Sequence, residues 1–175
     1  MTTKEDVIPV NIIEQVVSAM VVPDIPIVHF DAGRAIQILD RLSDLDNSPN
    51  YKGYKYPLIA MVLPVRESRG TGHYSELRID RLVLATHSKG FDGSERVMKR
   101  YNEFGTFKKV LYPMYYGFFR SLALHPNVIG MEPDRFEHTK MDNPGHQPIG
   151  QGLSDFVDTI EILNLLITLS QIKTC

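Results

Sequence analysis

"KYPLIAMVLPVRESRG", residues 55–70, sets an apolar run between Pro57 and Pro64 and then breaks into Arg66, Glu67 and Arg69. Aliphatic residues punctuated by prolines suit a strand that leaves a core. The charged end then reads as an arm held out from that core. "ELRIDRLVLATHS", residues 76–88, supplies the expected partner strand. Its alternation at Leu77, Ile79, Leu82 and Leu84 is imperfect, and the run around Val83 predicts a strand end covered on both faces. Between the two strands, "RESRGTGHYS" (66–75) exceeds a tight turn, so it is either a long hairpin arm or a protruding loop.

Working towards the N-terminus, "PDIPIVHF" (23–30) predicts a short strand, with Ile27, Val28 and Phe30 on a pleated surface. Asp31 is the expected N-cap of a following helix, whose apolar stripe is Ala35, Ile36, Leu39, Leu42 and Leu45. Ahead of these, Val7, Ile8, Ile12, Ile13, Val16, Val17 and Met20 recur at helical spacing over residues 4–20. Pro9 is tolerated in a first turn, so this helix is expected to start near Ile8.

Towards the C-terminus, "SERVMKRYNEFG" (94–105) predicts a short helix ended by Gly105. "TFKKVLYPMYYGFFRSLALHP" (106–126) carries the strongest helical pattern. Phe107, Leu111, Met114, Phe118 and Leu122 form its stripe, flanked by Val110, Tyr115 and Phe119, and Pro113 predicts a kink. Residues 125–153 show no period and read as a long irregular loop. "DFVDTIEILNLLITLSQI" (155–172) alternates as a closing strand, with one slip near Asn164 that suggests a bulge. The whole chain, 1–175, is therefore expected to be one α+β domain. A small, mainly antiparallel sheet is backed by helices, with protruding segments at 66–75 and 126–153.

A length of 175 residues, 43% of them apolar, is enough for a core without disulfide or metal staples. Cys175 is the only cysteine, so no intrachain disulfide can form. A net charge of −2 with both signs mixed argues against a dedicated nucleic-acid binder. No apolar run reaches the roughly 20 residues of a membrane span. The opening "MTTKEDVIPV" lacks the order of a secretory signal. The composition is that of a soluble protein of a reducing compartment.

Few motifs carry chemistry. "GTGHYS" lacks the lysine and following helix of a phosphate cradle. Ser75, Ser88 and Ser154 lack the glycine-flanked setting of a hydrolase nucleophile. "FEHTKMDNPGH" (136–146) places Glu137, His138, Asp142 and His146 on one segment, and His29 and Asp31 lie elsewhere, but zinc ligands need short, fixed spacings. Solvated or interface-packed side chains are the plainer reading, so no catalytic, cofactor-binding or metal-ligating residue is assigned. The aromatic stripe at Phe107, Tyr115, Phe118 and Phe119 is expected to be core. Arg96, Lys99 and Arg100 are expected on a solvated face or a subunit contact. Arg66, Glu67 and Arg69 differ, because they combine both signs on an arm that emerges from a strand, which suits pairing with another copy of the chain.

Taken together, the leading helix, "HFDAGRAIQILDRL", "KYPLIAMVLPVRE", "RIDRLVLATHS", "RYNEFGTFKKVLYPMYYGFFRSL" and "DFVDTIEILNLLITL" resemble a family of neck and tail-completion proteins. These come from phages and prophages of gut Bacteroides, crAss-like phages included. The resemblance spans nearly the whole chain and is most specific at "FKKVLYP" followed by "DxIEIxNL". It implies a tail-terminator-like or head-to-tail ring protein of the virion, assembled in the host cytoplasm, without catalysis or cofactor. The implied partners are further copies in a six- or twelve-fold ring, adjacent portal, neck or tail proteins, and genomic DNA passing without sequence-specific binding. No membrane partner is implied. Candidate subunit-interface residues are Arg66, Glu67, Arg69, His73, Tyr74, Arg135, Glu137 and His138. The stretch "HPNVIGMEPDRFEHTKMDNPGHQPIGQG" (125–152) departs from the family pattern. Two other readings stand beside this one: a phage-encoded metal-dependent hydrolase using Glu137, His138, Asp142 and His146, and a small DNA-binding packaging accessory protein.

Overall fold

A computed structural model describes residues 9–47, 55–69, 74–87, 105–131, 137–141 and 157–170. In chain order the elements are α1 (Pro9–Ser18), β1 (His29–Gly33), α2 (Ala35–Asn47), β2 (Leu58–Arg69) and β3 (Tyr74–His87). A π-helical turn (Phe107–Leu111) then runs into α3 (Tyr112–Leu124), followed by β4 (Val128–Met131), β5 (Glu137–Met141) and β6 (Val157–Ser170). The fold is α+β, as the sequence predicts. Its sheet runs β1-β2-β3-β6-β4, with β5 also paired to β6. Among the described residues only the β1–β2 pair is parallel. The α2 crossover returns the chain in the same direction there, as a β-α-β connection requires.

Two apolar clusters hold the sheet from opposite sides. Ile12, Ile13, Val16 and Val17 of α1 and Phe107, Leu111, Met114, Phe118 and Leu122 of the π turn and α3 pack on one face. There they meet Ile59, Met61, Leu77, Ile79, Leu82, Leu84, Ile160, Ile162, Leu165, Ile167 and Leu169. On the other face, Ile38 and Leu42 of α2 cover Leu58, Ala60, Val83 and Ala85. This is why β3 is apolar on both faces at its C-terminal end.

The core phase changes within single strands. On β3 it passes from Leu77 and Ile79 to Leu82 and Leu84, and on β6 from Ile160 and Ile162 to Leu165 and Ile167. Ile79 pairs with Leu165 and Leu82 with Ile162, so both strands carry the same insertion and their register is preserved. Asn164 turns the chain at φ 57 at this point. β2 compensates with a bulge between Val62 and Val65 that contains Pro64. A seam therefore crosses three strands and divides the sheet into a half covered by helices on both sides and a half that reaches beyond α2.

Several expectations are corrected. Asp31 lies inside β1, which starts at His29 and not in "PDIP". Val22 and Ile25 instead close a turn in which Pro23 supplies the fixed φ and Asp24 adopts φ 61. The start of α2 is capped by Gln37, whose Oε1 accepts from the Arg34 backbone N–H at 3.0 Å. Ile36 is 61% exposed, and Ile38, two residues further on, is buried in its place. Pro113 stands in the first turn of α3, directly after the π turn. The chain absorbs the lost hydrogen bond by widening the preceding turn, with the Tyr112 N–H donating to the Phe107 carbonyl five residues back. Residues 66–69 and 74–75 are paired strand, so the arm is a hairpin and not a loop. Two short strands, β4 and β5, occupy part of the stretch expected to be irregular. The helix predicted over 94–105 lies outside the described residues except at Gly105.

Candidate functional site: the hairpin arm

β1 ends at Gly33, opposite Val62, while β2 continues to Arg69. The outer edge of β2 from Val65 to Arg69 therefore has no strand beside it among the described residues. On the face where α2 lies, this half of the sheet carries a set of charges. Arg66 stands opposite Arg78 across the hairpin. Both reach Asp80, with Arg66 Nη2 at 2.8 Å from Oδ2 and Arg78 Nε at 3.6 Å from Oδ1. Without the shared carboxylate, two arginines directly opposite each other would repel. Arg78 Nη2 also donates to Asn164 Oδ1 at 2.9 Å, which joins β3 to β6 at the seam. Beside it, Arg81 Nη2 meets Glu161 Oε1 at 2.5 Å, and this pair is largely shielded from water.

On the opposite face of β2, Arg69 Nε pairs with Glu67 Oε1 at 3.2 Å, two positions apart and on the same side of the strand. Tyr74 opens β3 and is 48% exposed. The hairpin thus brings together Arg66, Glu67, Arg69 and Tyr74 of the candidate set. His73 and Arg135 lie outside the described residues. Glu137 and His138 sit on β5, along the other edge of the sheet and separated from β2 by β3 and β6. Sequence reasoning missed Arg78, Asp80, Arg81, Glu161 and Asn164. The signal was present in "RIDR" (78–81), where strand periodicity puts Arg78 and Asp80 on the face of Arg66.

β5 also bears on the metal-ligand reading. Adjacent strand residues face opposite sides, so Glu137 and His138 diverge. The His138 ring packs 5.7 Å from that of Tyr115. Tyr115 in turn stacks edge-on with Phe119 and Tyr116. Burial pushes the Tyr115 hydroxyl above its ordinary pKa, helped by Tyr116 and opposed by Lys140. Asp142 and His146 lie outside the described residues. Among the described residues, no group of three or more histidine, cysteine or acidic side chains is placed to hold a metal ion.

Two clefts lie in the other half of the molecule. One of about 480 Å3 between β1 and α2 is lined by His29, Asp31, Arg41, Asp44 and Lys55 among others. Arg41 grips Asp31 through Nε and Nη2 at 2.9 and 2.6 Å and also donates to the Ala32 carbonyl. The bond to Asp31 raises the guanidinium pKa further, and burial lowers that of His29. Gly33 makes room for this grip, since a Cβ there would stand 2.8 Å from Arg41 Nη2. The second cleft, about 420 Å3, includes Tyr56, Thr86, His87, Thr106 and Lys109. Of these, Thr106 donates its hydroxyl to the carboxylate of the fully buried Asp158. Both clefts are lined by residues that already serve as structural ties.

No helix among the described residues is long and apolar enough to cross a membrane. Comparison with protein-family models, with curated proteins and with solved structures yields no match for this chain.

Proposed function

We propose that the chain is a structural virion protein that forms a ring in the head-to-tail connector or tail of a phage, in the manner of a tail terminator. The observation that carries this reading is the placement of two unlike surfaces on opposite edges of one rigid sheet. The charged hairpin extends past β1 on one side. Strand β5, with Glu137 and His138, lines the other. A ring closes when each subunit offers its left and right neighbours different, complementary surfaces. A paired hairpin anchored through β3 and β6 can deliver its side chains to a neighbour at a fixed distance, which a loose loop cannot. The net charge of −2 suits the wall of a conduit through which DNA slides.

The test is electron microscopy of the purified protein, alone and with portal complexes, together with proteomics of purified particles. Closed rings and the presence of the chain in particles are expected. Particles that lack the chain would overturn the reading.

A further inference from the structure

We infer that the free edge of β2 is self-complementary and binds the same edge of a second copy in antiparallel register about a two-fold axis at Ser68. Two observations lead there. Among the described residues the edge is open, because β1 stops opposite Val62 while β2 remains extended and paired to β3 through Arg69. An open edge of this kind is a template for another strand. The side chains then fix the register. Glu67 and Arg69 lie on one face of β2, either side of Ser68, with opposite charges. In an antiparallel pair centred on Ser68, each Glu67 stands directly opposite the Arg69 of the second copy, twice over. A register centred on Glu67 or on Arg66 loses both pairs, and the first sets Glu67 against Glu67. Opposite charges across a strand pair stabilise it and like charges oppose it.

The charges on this edge would ordinarily guard it. Here they do so selectively. Arg66 is neutralised by Asp80 on the far face, and Glu67 and Arg69 are held together within the strand at 3.2 Å. Pairing of two copies exchanges that one internal contact in each chain for two contacts between chains. Pro64, at the bulge, has no N–H to give and ends the usable edge at Val65. The contact is short and partly exposed, so it belongs to the weak class that forms at high local concentration. It does not depend on the proposed ring, since the two-fold alone makes a dimer.

The experiment is sedimentation velocity of the full chain over a concentration series up to its solubility limit, with E67R, R69E, the E67R/R69E double variant and an equimolar mixture of the two single variants. The Arg69 side chain is exposed and that of Glu67 partly so, and circular dichroism verifies that each variant folds. Concentration-dependent dimers are expected for the natural chain and for the double variant, which restores the same pattern reversed. Each single variant should self-associate roughly tenfold more weakly. The mixture should recover dimers, because E67R presents two arginines to the two glutamates of R69E. A natural chain that stays monomeric throughout, single variants that dimerise as well as it does, or a mixture that stays monomeric would each overturn the inference. Rings that persist in both single variants without any two-fold step would also overturn it, while leaving the proposed function standing.

Discussion

Arg78 donates to Asn164 across the β3–β6 ladder at 2.9 Å, and Asn164 is held there at φ 57, a left-handed conformation that few side chains tolerate. The bond and the backbone turn occur at the position where the core phase of both strands changes. Asn164→Ala removes the bond and keeps a Cβ in left-handed backbone, so a loss of about 1–3 kcal/mol is expected. Asn164→Gly loses only the bond and should cost less. Urea unfolding of the two variants checks the order, and an alanine variant as stable as the glycine one would count against it.

Glu161→Ala leaves the guanidinium of Arg81 in a largely buried position without its carboxylate. A cost of roughly 2–4 kcal/mol follows, with the double change to Arg81→Met and Glu161→Leu recovering most of it. Thermal melts of the two variants and the natural chain decide the matter. Equal losses in the single and double variants would contradict it.

His125 Nδ1 accepts from the Asn127 backbone N–H at 3.2 Å, and its Nε2 lies 3.2 Å from Gln15 Oε1, which makes it the neutral tautomer with the proton on Nε2. Burial lowers the pKa of His125, and likewise of His29, below the ordinary value of 6.5. The unfolded chain therefore binds more protons than the folded one just below pH 6.5, so this contribution is complete above that value and is lost as pH falls through the folded pKa. His125→Gln and His29→Gln should each flatten the stability profile over that window. A profile unchanged in both variants refutes this account.

Phe118 is fully buried on the α3 stripe, and Phe118→Ala is expected to cost about 3–5 kcal/mol. Tyr116, two residues before it, is 67% exposed, and Tyr116→Ala should stay within about 0.5 kcal/mol of the natural chain. Denaturant midpoints for the pair test whether α3 presents the face assigned to it.

The long elements were legible in the sequence because burial imposes a period. The stripe from Phe107 to Leu122 is fully buried as its spacing predicts, and the slip near Asn164 appears as the positive φ and the change of phase. What stayed hidden depended on partners distant in the chain. β4 and β5 are only 4 and 5 residues long, too short for alternation to rise above the surrounding glycine and proline. Asp31 looks like a cap because aspartate before an apolar stripe usually is one. Only the fold reveals that Arg41, nearly two turns into α2, claims it. The hairpin's charges announced an arm in the sequence, but the convergence of Arg66 and Arg78 on Asp80 required the β2–β3 register.

The double anchoring of the hairpin has a mechanical consequence. A pull directed along the arm loads the β3 ladder to β2 and β6 in shear, so many hydrogen bonds must yield together. A pull on β4 loads its few bonds one after another, as a zipper. Tension passed between joined subunits would thus travel through the central strands into the α1–α3 core, and the outer strand would be the first to part.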